Sequence, residues 1–200
     1  MKISNENPRI SGVILAGGKG RRMGGVDKGL QPFRGRSLIE WIIERLQPQV
    51  DEILINANQN LERYADYGYR VISDLIPDFA GPLAGFHSAL SAASNDLVLT
   101  VPCDSPLMPE DLAQRLMHAL DAAAADIAVA CTDNQVHPVF CLLHRSLLTH
   151  LDDYLSEGGR KIDAWYANLK VIEVAFDDEA EAFGNFNTLA ELTAAEKNGR

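Results

Sequence analysis

Short apolar runs recur along this chain at Ile10–Ala16, Glu52–Ala57, Arg70–Ser73, Leu97–Val101, Ile127–Cys131, Val139–Leu143 and Val171–Phe176. Runs this short, bounded by polar and turn residues, predict buried strands. Helix-like segments lie between most of them. Ser37-Leu38-Ile39-Glu40 is a capping-box pattern opening a helix over Leu38–Leu46. Pro82 after Gly81 suits the first position of a helix through Leu90. Pro109-Glu110-Asp111 opens another, with its acids at the positive end of the helix dipole. Strands alternating with helices imply an α/β fold: a mostly parallel central sheet with helices on both faces. No repeat, low-complexity segment or long linker interrupts the pattern, so residues 1–200 read as one domain.

The pattern breaks most sharply after the first strand. Six glycines fall between Gly17 and Gly29, together with Lys19, Arg21, Arg22 and Lys28. Glycines allow positive φ and a close approach of backbone to ligand. Successive N–H groups in such a turn form an anion-binding concavity, and the cations supply charge for a polyphosphate. Two familiar phosphate loops are excluded. Val26 and Asp27 follow Gly25 where a Walker A loop needs Lys and Ser or Thr. Met23 occupies the third glycine position of a dinucleotide fingerprint. What remains is Gly-x-Gly-x-Arg-Met with Lys28 five residues on, which reads as a nucleoside triphosphate loop.

In an open α/β sheet, ligands bind outside the carboxyl ends of the strands. Asp74 and Asp104 follow strand-like runs and are expected at that edge. Asp104, followed by Pro106, suits a Mg²⁺ ligand, since Mg²⁺ takes one or two carboxylates plus substrate phosphates and water; a turn or helix-capping aspartate is the alternative. Asp74 is equally compatible with an ordinary turn, as is Asn56, whose amide could instead read a base edge. In a nucleotidyl transfer, Lys28 would stabilise charge on the α-phosphate oxygens. Arg22 would clamp the leaving pyrophosphate. No Ser-His-Asp or Cys-His arrangement is evident, which fits a transfer whose acceptor brings its own ionised phosphate and needs no protein base.

These residues resemble a known family. Gly-x-Gly-x-Arg-Met with a downstream lysine is similar to the signature loop of the nucleotidyltransferases with a Rossmann-like fold. The longer form, Leu15-Ala16-Gly17-Gly18 through Arg22-Met23-Gly24-Gly25-x-Asp27-Lys28, resembles the molybdenum cofactor guanylyltransferases. The resemblance implies transfer of GMP from GTP to the terminal phosphate of Mo-molybdopterin, with Mg²⁺ and release of diphosphate. It implies nucleotide contacts at Leu15, Ala16, Gly17, Gly18, Lys28, Asn56, Asp74 and Asp104, and a metal at Asp104. On the acceptor side it points to Gly81-Pro82-Leu83-x-Gly85 and to Asn185-x-Asn187, where Leu189 replaces the family's usual proline. His137-Pro138-Val139 matches as well, with a structural role for the histidine. Arg160 and Lys161 follow a glycine pair and suit an acceptor phosphate, a solvated basic turn being the alternative. The competing readings are a CTP-using transferase, acting on molybdopterin or on a sugar or polyol phosphate, and a nucleotide-binding regulator or chaperone without turnover.

Composition narrows this further. The 200 residues carry a net charge of −10, and the sequence pI is about 4.9. An acidic body with one basic loop favours a small anionic ligand over a nucleic acid. Cys103, Cys131 and Cys141 are scattered and odd in number, which predicts neither a disulfide framework nor a zinc site and fits the cytoplasm. No run reaches the length of a membrane span, and residues 1–9 lack the apolar core of a signal peptide. Small-molecule substrates are the expected partners, with transient contacts to cofactor-biosynthesis or molybdoenzyme proteins compatible with that role.

Overall fold

A computed structural model of the chain describes residues 8–18, 27–76, 81–133 and 135–184. Its centre is a seven-stranded sheet. The strands are β1 (Ile10–Leu15), β4 (Glu52–Asn56), β5 (Arg70–Ile72), β6 (Leu97–Pro102), β7 (Ile127–Thr132), β8 (Gln135–His144) and β9 (Val171–Ala175). Their spatial order is β5-β4-β1-β6-β8-β7-β9. A small antiparallel hairpin, β2 (Pro32–Phe33) and β3 (Arg36–Ser37), lies apart from this sheet. Every neighbouring pair in the large sheet is parallel except those involving β8, which runs antiparallel to both β6 and β7.

The helices are α1 (Leu38–Leu46), α2 (Leu61–Ala65), α3 (Pro82–Ala92), α4 (Leu112–Ala123), α5 (Leu148–Ser156) and α6 (Ile162–Tyr166). They divide between the faces as the strand period demands. Ile10 and Ile14 of β1 pack with Ile39, Ile42 and Leu46 of α1 and with Leu112, Leu116 and Leu120 of α4. Val13 points the other way, to the layer of Phe86 and Leu90 of α3, Leu151 and Leu155 of α5, and Trp165 of α6. Central strands covered on both faces are mainly apolar on both, which is why they read as runs rather than alternations; the buried Ser11 and Thr100 are hydrogen-bonded, to Glu52 and to Val139 O.

Two local expectations change, and one irregularity was not anticipated. The strand expected at Val139–Leu143 runs from Gln135 to His144, so His137 lies within it. The register between β7 and β8 shifts at Val129/Ala130, a bulge that the apolar pattern does not signal. The helix expected to open at Pro109 begins at Leu112. Asp111 occupies its N-cap position without a side-chain cap, while Glu110 lies 3.4 Å from Arg45 on α1. The expected capping box is present at α1: Glu40 accepts the Ser37 N–H at 2.7 Å, and the Ser37 bonds hold its carboxyl below the usual range. Cys103 lies in the turn after β6; all three cysteines are free.

Parallel connectivity puts the carboxyl ends of β1, β4, β5 and β6 along one edge. The register carries the order to its limit: Ala16 N–H donates to Asn56 O (2.8 Å), Ala57 N–H to Ile72 O (2.8 Å) and Cys103 N–H to Leu15 O (3.2 Å).

Candidate active site

Two polar clusters occupy this edge, on either side of β1. The first joins the exit of the glycine loop to the end of β6. Lys28 Nζ donates to Asp104 Oδ2 at 2.8 Å, although the two lie 76 positions apart. Asp104 is 8% exposed, and the lysine side chain retains 27% of its exposure. The acid is thus held by the sheet, while the cation reaches it from the loop. Gly29 is buried beside it, next to Cys103. Burial pushes the Cys103 thiol far up, and the neighbouring Asp104 charge adds to this, so a thiolate is not available here.

The second cluster joins β1, β4, β5 and α3. Asn56, 1% exposed at the end of β4, donates through Nδ2 to Asp74 Oδ1 at 3.0 Å. Asn58 donates from Nδ2 to Asp74 Oδ2 (2.7 Å) and to Gly17 O (3.1 Å), and its Oδ1 accepts the Asp74 N–H at 3.0 Å. Asp74 therefore lies where the sequence places it, oriented by two asparagines. The Asn56 donor is already engaged inside the fold, whereas Asn58 is exposed. Asn58 is absent from the sequence-based set. The available signal was the Asn56-Ala57-Asn58 spacing, because residues two apart at a strand end share a face.

Glycine is required here for space. A Cβ on Gly17 would lie 2.8 Å from Asn58 Nδ2 and 3.0 Å from Asn56 Oδ1, and one on Gly85 would lie 3.1 Å from Asn56 Oδ1. Gly81 has φ +151, a conformation that favours glycine, immediately before the Pro82 start of α3. Leu83 is buried against the sheet. Gly81, Pro82, Leu83 and Gly85 thus bring the start of α3 to the carboxyl edge beside Leu15 and Asn56.

Arg160 and Lys161 lie in the exposed turn between α5 and α6. Tyr154 Oη donates to Lys161 O at 2.9 Å, and Arg160 donates to Leu155 O at 3.1 Å, so the turn is shaped by its own bonds. His137 joins Thr132 Oγ1 at 2.7 Å and stacks on Phe183 with centroids 4.8 Å apart. Burial lowers its pKa. Leu15, Ala16 and Gly17 line the end of β1, and Gly18 is exposed next to them. Arg22, Asn185 and Asn187 lie outside the described residues.

Among the described residues, no group of three or more His, Cys, Asp or Glu side chains could hold a metal by itself. A lone rigid carboxylate suits a cation that takes its remaining ligands from substrate phosphates and water. No helix among them is long and apolar enough to cross a membrane.

Comparison with known proteins gives the family. A family model described as the MobA-like NTP transferase domain matches residues 12–171. A molybdenum cofactor guanylyltransferase of Ralstonia nicotianae is 53% identical over 192 residues, covering 92% of this chain and 94% of that protein. One from Shewanella putrefaciens is 49% identical, covering 91% and 93%. Among solved structures, molybdopterin-guanine dinucleotide biosynthesis protein A of Archaeoglobus fulgidus superposes with a TM-score of 0.79 at 26% identity, over 94% of this chain and 97% of that one. A CMP:2-keto-3-deoxy-manno-octonic acid synthetase shares the fold at 15% identity, with a TM-score of 0.72. The chain is a nucleotidyltransferase and belongs to the MobA-like family, in its molybdenum cofactor guanylyltransferase branch.

Proposed function

We propose that this chain transfers GMP from GTP to the terminal phosphate of Mo-molybdopterin, releasing diphosphate. The observation that carries the assignment of roles is the 2.8 Å contact between Lys28 and Asp104. It brings the only lysine at the described exit of the glycine loop to the most deeply buried carboxylate of the edge. Lys28 stabilises charge on the α-phosphate oxygens in the in-line transition state, where the charge is greatest. Asp104 is the ligand for Mg²⁺, which when bound offsets phosphate charge. Arg22 holds the leaving diphosphate. The backbone of Leu15–Gly18 and the Asn56–Asn58–Asp74 cluster read the nucleotide. The start of α3, the Arg160–Lys161 turn, Asn185 and Asn187 meet the acceptor. The acceptor phosphate attacks the α-phosphorus directly. The bond to the diphosphate breaks, and its electron pair leaves with the diphosphate.

Diphosphate release is measured with Mo-molybdopterin and each of the four nucleoside triphosphates at equal Mg²⁺. GTP is expected to exceed the others by at least about a hundredfold, because a wrong base leaves buried polar groups unpaired. Faster use of CTP assigns a cytidylyl transfer instead. Tight GTP binding without release with any triphosphate assigns a regulator.

A further inference from the structure

The tyrosine of α2 has no place in the chemistry above, yet its hydroxyl is aimed at the lysine-bearing turn. Tyr64 is fully buried. Its Oη donates to Asp27 Oδ1, and Asn60 donates to Asp27 Oδ2 at 3.0 Å. Both oxygens of the residue preceding Lys28 are thereby held by α2 and its cap. On the other side of Lys28, a Cβ on Gly29 would lie 2.6 Å from Tyr64 Oη and 3.3 Å from Cys103 Cβ. The turn is thus pinned between the phenol and the residue that precedes Asp104. Burial pushes the phenol well above its usual pKa, so the hydroxyl keeps its proton and remains a donor. A phenylalanine would fill the same space without a buried hydroxyl to satisfy. Packing alone therefore does not account for the tyrosine.

We propose that Tyr64 is a positioning residue for the transfer. Through Asp27 and Gly29 it holds the backbone of Lys28 so that Nζ stands over the α-phosphate site beside Asp104. Asn60 is its auxiliary. This rests on the role assigned to Lys28 above. Misplacing such a group by about an ångström costs up to about a hundredfold in rate. Tyr64→Phe, which leaves Asn60 in place, is expected to lower kcat about tenfold, with a smaller change in the KM for GTP.

The test is a double-mutant cycle on purified protein, with kcat and the KM for GTP measured for wild type, Tyr64→Phe, Lys28→Ala and the pair. A residue that acts through Lys28 loses its effect once the lysine is gone. Tyr64→Phe is therefore expected to leave the residual kcat of Lys28→Ala unchanged. The same tenfold loss in both backgrounds, or a normal kcat for Tyr64→Phe, overturns the proposal. A normal kcat for Lys28→Ala instead overturns the role of the lysine on which it rests. Asn60→Ala repeats the cycle with the other tie if Tyr64→Phe does not fold, and the same loss of effect in the Lys28→Ala background is expected.

Discussion

The two edges of the sheet both carry bonded carboxylates, but they use them differently. At the amino edge, Glu52 accepts from the Ser11 hydroxyl, the Ser94 N–H (2.9 Å) and the Ser94 hydroxyl (2.8 Å). Asp51 accepts the Ile10 N–H at 2.8 Å. These donors are neutral and belong to a strand start or a turn. At the carboxyl edge, Asp104 meets a lysine delivered from a glycine loop, and Asp74 meets two amides beside glycines that leave room. The amino edge closes backbone ends. The carboxyl edge gathers charge and open space. The carboxylate bonded to a cation from a loop is the one to which the proposed chemistry is assigned, and the carboxylates that tie strand starts and turns are not.

The largest test of this contrast is Asp104→Asn. It removes charge with little change of volume. Activity is expected to fall about a hundredfold, comparable to loss of one strong transition-state contact. Higher Mg²⁺ should restore it only in part. An unchanged Mg²⁺ titration in steady-state diphosphate release would place the metal elsewhere.

Gly17→Ala is expected to act less strongly and differently. Its methyl would displace Asn58 from Gly17 and Asp74. Losing one such bond, at about 1 kcal/mol, raises the KM for GTP about fivefold, with kcat nearly intact. A fall in kcat at unchanged KM would mean that this cluster serves the reaction rather than the nucleotide.

Glu52→Gln should separate the edges with the smallest effect on turnover, which is expected to be nil. Burial alone would raise the Glu52 pKa, but the bonds from Ser11 and Ser94, with the charge of Arg70, more than offset this and lower it. A lowered folded-state pKa gives stability that is complete above the unfolded value of about 4.3. That stability is lost as pH falls through the folded value. The variant should lose about 1 kcal/mol at neutral pH. Its difference from wild type in urea unfolding should disappear in acid below the usual carboxylate range. A difference that persists there would trace to packing.

Much of this was readable in the chain because it depends on local pattern. The apolar runs marked the seven strands: the central ones are mainly apolar on both faces, and the partly exposed edge strands β5 and β9 still carry Val71-Ile72 and Val171-Ile172. The glycine and cation density after β1 marked the loop. Asp74 and Asp104 were readable because acids after strands lie at a defined edge. The extra length of β8 was hidden, since Gln135 and His137 are not apolar: Gln135 is exposed and joins the strand only by pairing with β7, and His137 is covered by Phe183. The hairpin β2–β3 was too short to show a period. Asn58 and Tyr64 were hidden because their partners lie 16, 41 or 37 positions away.

By itself, the sequence determined the strand and helix order, the glycine and cation density of the loop and the acids at the carboxyl edge, because each follows from composition within a few residues. Only the tertiary structure decided that β8 runs antiparallel, that Asn56 donates to Asp74, and that Lys28 reaches Asp104 from a turn bonded to Tyr64 through Asp27. Those contacts form only once distant elements pack, and pairing geometry and burial across the sheet, rather than local propensity, select them.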